Sequence, residues 1–523
     1  MTKYKIVTKT PDYDTGASDG VIVFPQNRTL YVDQFTDEGP FSDEDRSAFM
    51  VSSIEDVFDH YQPQKDIVLE TELGELIEER FVFRSINDFE DNQLIEQSDL
   101  LSKNKAKVDV LNSLIRQFKL LNKHKGESKY NTKECEQWVS LYKDFGDDET
   151  EIIAKLLTIR DKASGCLMKN LYCIHEAVKD LEITYRTLET FFSNTGQGKV
   201  DCLTLMNVNK EELNAHDSDD TFAVREELEK YYDRLSLKLN YSILVIPGYL
   251  GEACTIRMWA DTAFRHGVIL VTDFRDCFDV DMLKEMLERA GLQGNDTHLN
   301  HVIMTCNYLL GRKKSVLAEE EDDLFIPGSG ALAGRLTDTY EVVVSQGVSG
   351  MRFGVLRGVK GTRMDLRKAQ IATLIDLGVI PLVEEDNHIM AFSNRTLYNG
   401  CMPGFQNYPS VRVLDWISKV LRYFINEEAF VNWNSMVRAD MQQAIKDFLN
   451  DFDGPDKLIE SYRLRKIEQD PLTKDIRLAV EIKLHCSLKP YLIELTFHRS
   501  DMGFPEMEQE IMVCNYISNN ENN

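Results

Sequence analysis

Apolar residues occupy every second position from 476 to 484, and again from 491 to 497. Polar or small residues fill most of the positions between them, and a Ser-Leu-Lys-Pro turn at 487–490 separates the two runs. A period of two places alternate side chains on opposite faces of a strand. The pattern therefore predicts an antiparallel hairpin with one buried face, and a further strand near 462–464 precedes it.

Between positions 200 and 400 the sequence alternates short apolar runs with longer amphipathic stretches. Strands are predicted at 200–208, 241–246 and 268–272, and helices at 252–264 and 282–290. Gly291 directly follows the last of these helices and is a typical helix stop. Alternation of this kind predicts an α/β core.

The N-terminal part has a different pattern. The runs 21–24 and 29–32 are short, β-branched or aromatic, and predict two strands. Ser42, with Asp45 three residues later, predicts the start of a helix that carries Met50, Ile54, Val57 and Phe58 on one face. Two strands around Gly74 follow, then helices from 92 to 123 and up to 192, with a polar linker at 123–132.

These patterns predict a mixed α/β, multi-domain fold. We expect an N-terminal arm with strands and an amphipathic helix at 1–65, and a mostly helical region at 66–195. A central α/β core is expected at 196–408. A C-terminal domain of a helix plus an antiparallel sheet is expected at 409–523.

Charge and cysteine usage narrow the functional classes. The net charge is −27, and residues 1–100 hold 23 acidic against 8 basic side chains. Nucleic-acid binding needs a basic surface, so it is disfavoured.

No apolar run approaches the roughly 20 residues of a membrane span, and the sequence after Met1 shows no secretory signal. None of the ten cysteines forms a CxxC pair, which favours reduced thiols in a cytoplasm.

Three segments resemble ligand sites only superficially. The stretch 196–199 lacks the spacing of a phosphate-binding loop. His298 and His301 could share a metal, but no third ligand follows from the sequence, and ordinary core or surface roles are favoured. The acidic run 319–323 lacks the glycine and alternation of a calcium loop, which favours a solvated charge run. We therefore predict no catalytic, cofactor or metal residues.

Several longer stretches carry a family resemblance. Leu181-Glu182-Ile183-Thr184-Tyr185-Arg186-Thr187-Leu188 resembles a Leu-Glu-x-x-Trp-Arg-Gly-Leu motif, with Tyr185 in place of Trp and Thr187 in place of Gly. The block from Ile246-Pro247-Gly248 through Arg395-Thr396-Leu397 continues the resemblance, which covers roughly 160–500. These stretches are similar to the large subunit of the type VI secretion contractile sheath, the TssC or VipB family, in its Bacteroidota-type form. The segment 83–89 is similar to a motif of the small sheath subunit.

The resemblance implies a structural subunit and no enzyme, located in the bacterial cytoplasm. Implied partners are a TssB- or VipA-like small sheath subunit, further copies of the chain, an Hcp-like inner tube, a baseplate and a ClpV-like AAA+ unfoldase. A phage-type tail sheath is the close alternative, and a cytoplasmic enzyme with an unrecognised site is the alternative of another class.

In the family, terminal strands are exchanged between neighbouring subunits. The resemblance implies such a role for the residues that lie in the predicted terminal strands: Val21, Val23, Leu30, Val32, Ile476, Leu478, Val480, Ile482, Ile493 and Leu495. We expect the N-terminal arm to be donated, so that deleting residues 1–35 leaves a folded protein that no longer polymerises. The alternative is that these strands complete the chain's own sheets.

In related systems the unfoldase grips a helix near the N-terminus of the large subunit. The residues Met50, Ile54, Val57 and Phe58 are the candidate handle here. The alternative is that this apolar face packs into the core of the subunit.

Overall fold

The computed structural model describes residues 5–7, 21–23, 27–123, 149–196, 202–232, 239–292, 294–338, 344–427, 433–455, 457–485, 489–498 and 506–514. The helices in these residues are α1 (Ile54–Tyr61), α2 (Asp91–Gln97), α3 (Asp99–Lys123), α4 (Glu149–Ser193), α5 (Asp219–Tyr232), α6 (Ala253–His266), α7 (Val280–Ala290), α8 (Ser329–Thr337), α9 (Gly350–Phe353), α10 (Lys368–Asp376), α11 (Tyr408–Glu427) and α12 (Ser435–Phe452). Short 3₁₀ turns occur at Ile86–Phe89, Glu212–Asn214 and Thr297–His301.

The strands fall into one large sheet and several small ones. They are β1 (Lys5–Val7), β2 (Val21–Val23), β3 (Thr29–Asp33), β4 (Phe49–Val51), β5 (Gln64–Glu70), β6 (Leu76–Val82), β7 (Leu203–Asn207), β8 (Ile243–Val245), β9 (Ile269–Asp273), β10 (Val302–Cys306), β11 (Leu309–Arg312), β12 (Leu324–Ile326), β13 (Val355–Leu356), β14 (Ile380–Glu385), β15 (His388–Ala391), β16 (Ser461–Gln469), β17 (Ile476–Lys483), β18 (Tyr491–His498) and β19 (Glu506–Val513).

The large sheet has nine strands in the order β13-β15-β14-β10-β9-β8-β3-β7-β4. The six strands from β14 to β7 run parallel to one another. β15 pairs antiparallel with β14, and β4 pairs antiparallel with β7. Every residue of β3, β7, β8, β9 and β10 is buried, as expected for parallel strands that are covered on both faces.

Helices α4 and α8 cover one face of this sheet. Tyr31 of β3 meets Phe191 of α4 edge to face at 5.7 Å, and the hydroxyl oxygens of Thr29 and Thr337 lie 3.0 Å apart. α8 crosses α4 closely because its small residues let the backbones approach. A Cβ added at Gly330 would lie 2.6 Å from the carbonyl oxygen of Thr187.

An N-terminal unit rests on the first half of α4. α3 and α4 pack against each other, and α4 is a continuous helix of 45 residues, about 68 Å long at 1.5 Å per residue. The hairpin of β5 and β6 docks on α4 through Asn170, whose side chain exchanges two hydrogen bonds with the backbone of Glu70 at 2.9 and 2.8 Å. The turn of this hairpin contains Gly74 with φ +84°, a backbone conformation that favours glycine.

The C-terminal unit places two helices on one face of an antiparallel sheet ordered β16-β17-β18-β19. α11 contacts β18, and α12 contacts β16. Asn434 caps α12 by accepting hydrogen bonds from the amides of Met436 and Val437 at 2.8 and 3.0 Å. Trp416 of α11 and Phe448 of α12 lie 5.8 Å apart and join the two helices.

The structure corrects the predicted N-terminal arm. Ser42 and Asp45 do form the expected hydrogen bonds, but they close a turn, and no helix follows from Ser42. Residues 49–51 instead form β4, and α1 begins only at Ile54. Since β3 and β4 belong to the large sheet, residues 29–51 are part of the central core, not of a separate arm at 1–65. The predicted linker at 123–132 lies largely outside the described residues.

Candidate assembly interface

The hairpin predicted near the C-terminus is present, but its strands are the two central ones of the sheet. β17 and β18 pair in register from Ile476 with Phe497 to Ile482 with Tyr491. The residues predicted to take part in strand exchange are at most 1% exposed on these strands: Ile476, Leu478, Val480, Ile482, Ile493 and Leu495. Their side chains fill the core of this chain. The edges of the sheet are formed by β16 and by β19.

The two edge strands differ in regularity. Between Leu464 and Lys466 the register of β16 against β17 shifts, which is the mark of a β-bulge. A bulge on an edge strand is a common protection against unwanted pairing. β19 instead pairs with β18 without interruption from Glu506 to Val513, and among the described residues its ladder runs to β18 alone. β19 is therefore a regular edge that can take another strand.

β19 was not predicted from the sequence, although its pattern is visible there. The run Glu506-Met507-Glu508-Gln509-Glu510-Ile511 alternates charged residues with less polar ones. Glu508 and Glu510 are exposed, whereas Gln509, Ile511 and Val513 are half-buried. Alternation over six residues was the signal that could have identified this strand.

The N-terminal candidates lie in two different places. Leu30 and Val32 are fully buried in β3, which lies between β7 and β8 in the large sheet. A strand with hydrogen-bonded partners on both sides cannot be donated to a neighbour, so the prediction for Leu30 and Val32 is wrong. Val21 and Val23 lie in β2, which pairs in parallel only with β1 among the described residues.

The four residues of the candidate unfoldase handle do not share one helix face. Met50 lies on β4 and is 55% exposed, and Ile54, the first residue of α1, is half-buried. Val57 and Phe58 are buried, and the ring of Phe58 stacks on Tyr185 at 4.4 Å. The apolar face of α1 therefore packs into the core, as the alternative interpretation held.

The motif at 181–188 forms a buried ionic cluster on α4. Glu182 is fully buried and accepts hydrogen bonds from Arg186 at 2.7 Å and from Arg312 at 2.8 Å. Arg312 also pairs with Glu320 at 2.8 Å. Burial lowers the pKa of Arg312, but the carboxylates of Glu320 and Glu182 outweigh burial and raise it overall. Arg312 stays charged, and the cluster ties α4 to β11 and the loop after it.

The acidic run 319–323 is solvated in part, as interpreted: Glu319, Glu321 and Asp322 are exposed, whereas Glu320 and Asp323 form ion pairs. Glu320 is bound to Arg312, and Asp323 pairs with Lys313 at 2.9 Å. His298 and His301 likewise have protein partners: His298 lies 3.3 Å from Asp261, and His301 lies 2.9 Å from Asp415. In the part of the chain that the structure describes, no group of three metal-binding side chains comes together.

Open α/β sheets usually bind ligands at the carboxyl ends of their parallel strands. Here the chain's own groups occupy that edge. Asp273, at the end of β9, accepts hydrogen bonds from the amides of Gly248, Gly328 and Ser329 at 2.8–2.9 Å. Burial raises the pKa of Asp273, and hydrogen bonds from the hydroxyl groups of Ser329 and Thr305 and from the amides of Gly248 and Ser329 oppose the rise. Asn307, at the end of β10, bonds the backbone of Met364 and Leu382 at 2.7–2.9 Å.

Two family models match the chain and together cover more than half of it. The type VI secretion system TssC/VipB central domain matches residues 173–399, and the TssC/VipB-like C-terminal domain matches residues 407–510. The chain belongs to the TssC/VipB family. It is a subunit of the contractile sheath of a type VI secretion system. The central match begins inside α4, and the C-terminal match begins one residue before α11.

Solved structures give weaker similarities. A chain of the anti-feeding prophage baseplate is 15% identical, with a TM-score of 0.40, over 58% of this chain and 76% of that one. The sheath tail protein from Desulfitobacterium hafniense is 13% identical, with a TM-score of 0.33, over 60% of this chain and 64% of that one. Among curated proteins no sequence matches. No helix in the described parts of this TssC/VipB subunit is both long and apolar enough to cross a membrane.

Proposed function

We propose that this TssC/VipB subunit polymerises with a TssB- or VipA-like small subunit into a sheath around an Hcp-like inner tube. The sheath would stand on a baseplate in the bacterial cytoplasm and propel the tube when it contracts. The observation that carries the assembly is the uninterrupted edge of β19 on a sheet whose core is already complete. A regular unpaired edge offers a row of backbone groups to a further strand.

The strand that is donated lies before residue 27. β1 and β2 form a two-stranded parallel sheet that joins no other strand among the described residues. A sheet of two short strands is marginal alone, and pairing with a neighbour would stabilise it. Asn27 is buried and donates a hydrogen bond to the carbonyl oxygen of Thr337 at 2.5 Å, so the donated segment begins at a fixed point.

Contraction needs no catalytic site in this chain. The energy would be stored in the extended lattice and released as subunit contacts change, which requires two alternative interfaces instead of a bound nucleotide. Support comes from the carboxyl edge of the large sheet, where Asp273 and Asn307 bind the chain's own backbone. The block 246–400 further supports a system of the Bacteroidota type.

A ClpV-like unfoldase would recycle contracted sheath by gripping the region of β4 and α1. Of the four candidate residues, Met50 and Ile54 remain accessible, and Met50→Asp with Ile54→Asp tests the contact, with the free energy of unfolding measured alongside because Ile54 packs partly against the core. Phe58→Asp is unsuitable, because it would place a charge against Tyr185. Pull-down with the unfoldase should weaken for the double variant, and undiminished capture would exclude this handle.

Electron microscopy of the chain co-expressed with the small subunit tests the main proposal. Hollow tubes with cogwheel cross-sections are expected, and they should be absent when either protein is omitted. Small discrete particles at every salt concentration that screens the −27 charge would contradict the proposal.

A further inference from the structure

Two neighbouring helices carry an excess of positive charge in a chain that is acidic as a whole. Residues 103–123 of α3 and 152–169 of α4 together hold ten basic and two acidic side chains, although the net charge of the chain is −27. The segment 124–148 between them holds four basic and six acidic side chains, so it does not offset this excess. A surface with this charge attracts an acidic partner.

One side of the helix pair is defined by two ion pairs. Lys107 of α3 pairs with Glu72 at 2.7 Å, and Lys169 of α4 pairs with Glu70. Both acidic residues belong to the hairpin of β5 and β6 or to its turn. The two lysines therefore point to the same side of the helix pair, the side on which the hairpin lies.

This side continues beyond the hairpin as a surface that we call the basic face. Residues three, four or seven apart share one face of a helix. By that spacing, four residues extend the side set by the two lysines: Lys103 and Val110 of α3, and Ile159 and Lys162 of α4. The side chain of Asn104 lies 3.2 Å from the sulfur of Cys166, which puts Val110 level with Ile159. These two apolar side chains are 58% and 43% exposed, and the two new lysines form no ion pair among the described residues.

An acidic segment, residues 37–59, lies toward the other end of α4. It holds eight acidic side chains and one arginine. Glu44, Glu55 and Asp59 are exposed, and among the described residues they form no ion pair. Phe41 in the same segment is 78% exposed. The acidic segment therefore complements the basic face in charge and also offers an apolar side chain to it.

Within one subunit these two surfaces cannot meet. α1 is part of the acidic segment and packs on α4 at Tyr185, where the ring of Phe58 stacks at 4.4 Å. Lys162 lies 23 residues earlier on the same continuous helix, which is about 35 Å away at 1.5 Å per residue. The partner of the basic face is therefore another molecule. Two basic faces would repel each other, whereas the acidic segment of a second copy has the required charge.

We propose that the basic face of one copy binds the acidic segment of a second copy, with Phe41 packed against Val110 and Ile159 inside a rim of charges. An apolar centre with a polar rim is the usual arrangement of a protein interface. The contact joins side-chain surfaces and adds no strand to a sheet, so it is separate from strand donation. This inference rests on the proposed polymerisation and names a further contact in the lattice. Because the two surfaces differ, the contact is heterologous and continues from copy to copy.

Charge reversal on the two surfaces tests the contact. The basic-face variant carries Lys103→Glu and Lys162→Glu, and the acidic-segment variant carries Glu44→Lys and Asp59→Lys. Each is expressed with the small subunit, alone and together with the other variant, and sedimented tubes are measured. Alone, each variant should yield at least about tenfold less polymer than the unchanged chain, since like charges then meet at every contact. Together they should recover polymer, because every contact in an alternating lattice joins opposite charges.

A matched control separates the contact from the change in net charge. Arg116→Glu with Lys119→Glu reverses two exposed charges on the opposite side of α3. This variant should polymerise within about twofold of the unchanged chain. All variants should keep the circular dichroism spectrum of the unchanged chain. Met50 and Ile54, the candidate contacts of the unfoldase, are left unchanged throughout.

The possible outcomes are distinct. Normal polymer from either variant alone, or no recovery when the two are combined, overturns the inference. Loss for the basic-face variant only would assign that face to the small subunit, which also overturns it. Recovery only when both reversals are in one chain would mean a contact within the subunit and would overturn it as well. Absence of tubes from the unchanged chain would instead contradict the proposed function.

Discussion

The nine-stranded sheet ends in strands of two and three residues, whereas the C-terminal sheet ends in strands of nine and eight residues. The backbone directly after the short edge strand β13 also has partners already. Arg357, the residue after β13, donates its amide to the side-chain oxygen of Asn194 at 2.8 Å, and its carbonyl oxygen accepts from the side-chain amide of Asn194 at 2.9 Å. Short, covered edges resist pairing with other chains. The large sheet therefore ends in short edges, whereas the C-terminal sheet keeps a long, regular edge at β19, the edge proposed above to associate.

Charged residues show the same contrast. Glu182 in the central unit is buried and satisfied by two arginines. Glu494 and Glu510 at the C-terminal edge have no such partners among the described residues. Losing a charge from the buried cluster should therefore weaken the fold, and changing charges at the edge should alter association.

The largest expected effect comes from two N-terminal deletions, one of which should prevent folding and the other only assembly. Deleting residues 1–35 removes β3 from the middle of the large sheet, so we now expect no folded protein, contrary to the expectation from sequence. Deleting residues 1–26 ends just before Asn27 and should leave a folded chain that forms no tubes. Circular dichroism and sedimentation with the small subunit measure the two properties. Tubes from the 1–26 deletion would contradict strand donation.

A second test probes the buried cluster. Glu182→Gln removes the carboxylate that Arg186 and Arg312 share and leaves them only Glu90 and Glu320, so it should lower the free energy of unfolding by about 3 kcal/mol. Glu176→Gln on the same helix is the matched control, because Glu176 is about half exposed and its pair with Lys179 contributes at most about 1 kcal/mol. Denaturant titration measures both. Equal, small losses would show that the central unit does not depend on its charges.

A third test concerns the packing of α8 on α4. A Cβ at Gly334 would collide with the backbone of Phe191, so Gly334→Ala should destabilise the chain by about 1–3 kcal/mol. Gly165, within α4, has no neighbouring atom within 4 Å of its Cβ position, and Gly165→Ala should stabilise by about 0.5–1 kcal/mol. Thermal melts should show a lower melting temperature for Gly334→Ala and a higher one for Gly165→Ala. A lower melting temperature for both variants would show that the close crossing is not the cause.

The sequence predicted elements wherever a local pattern determined them. The hairpin of β17 and β18 and the stop at Gly291 follow from alternation and capping chemistry. Local pattern could not decide whether the run 29–32 is a terminal arm or a central strand, because both are short and apolar. It also failed after Ser42, where the expected hydrogen bonds formed but closed a turn, and pairing of β4 with β7 overrode the helical pattern.

The smallest expected effect tests the joint between the two units. Lys419 of α11 is buried, and its ammonium group donates to the carbonyl oxygen of Tyr241 at 2.7 Å. Burial lowers the pKa of Lys419 to about 8, against an ordinary value of 10.5. Below pH 8 the lysine is charged in both the folded and the unfolded chain. Above pH 8 it loses its proton first in the folded chain, so folding becomes more favourable as the pH rises toward about 10.

Lys419→Met removes this dependence while the other titrating groups stay the same. The free energy of unfolding of the unchanged chain, relative to the variant, should rise by about 1 kcal/mol per pH unit between pH 8 and 10. Denaturant titrations of both proteins across that range measure the slope. A flat difference would show that Lys419 keeps an ordinary pKa, and that the joint between the central core and the C-terminal sheet is open to water. A positive slope indicates that Lys419 stays shielded from water between α11 and the core.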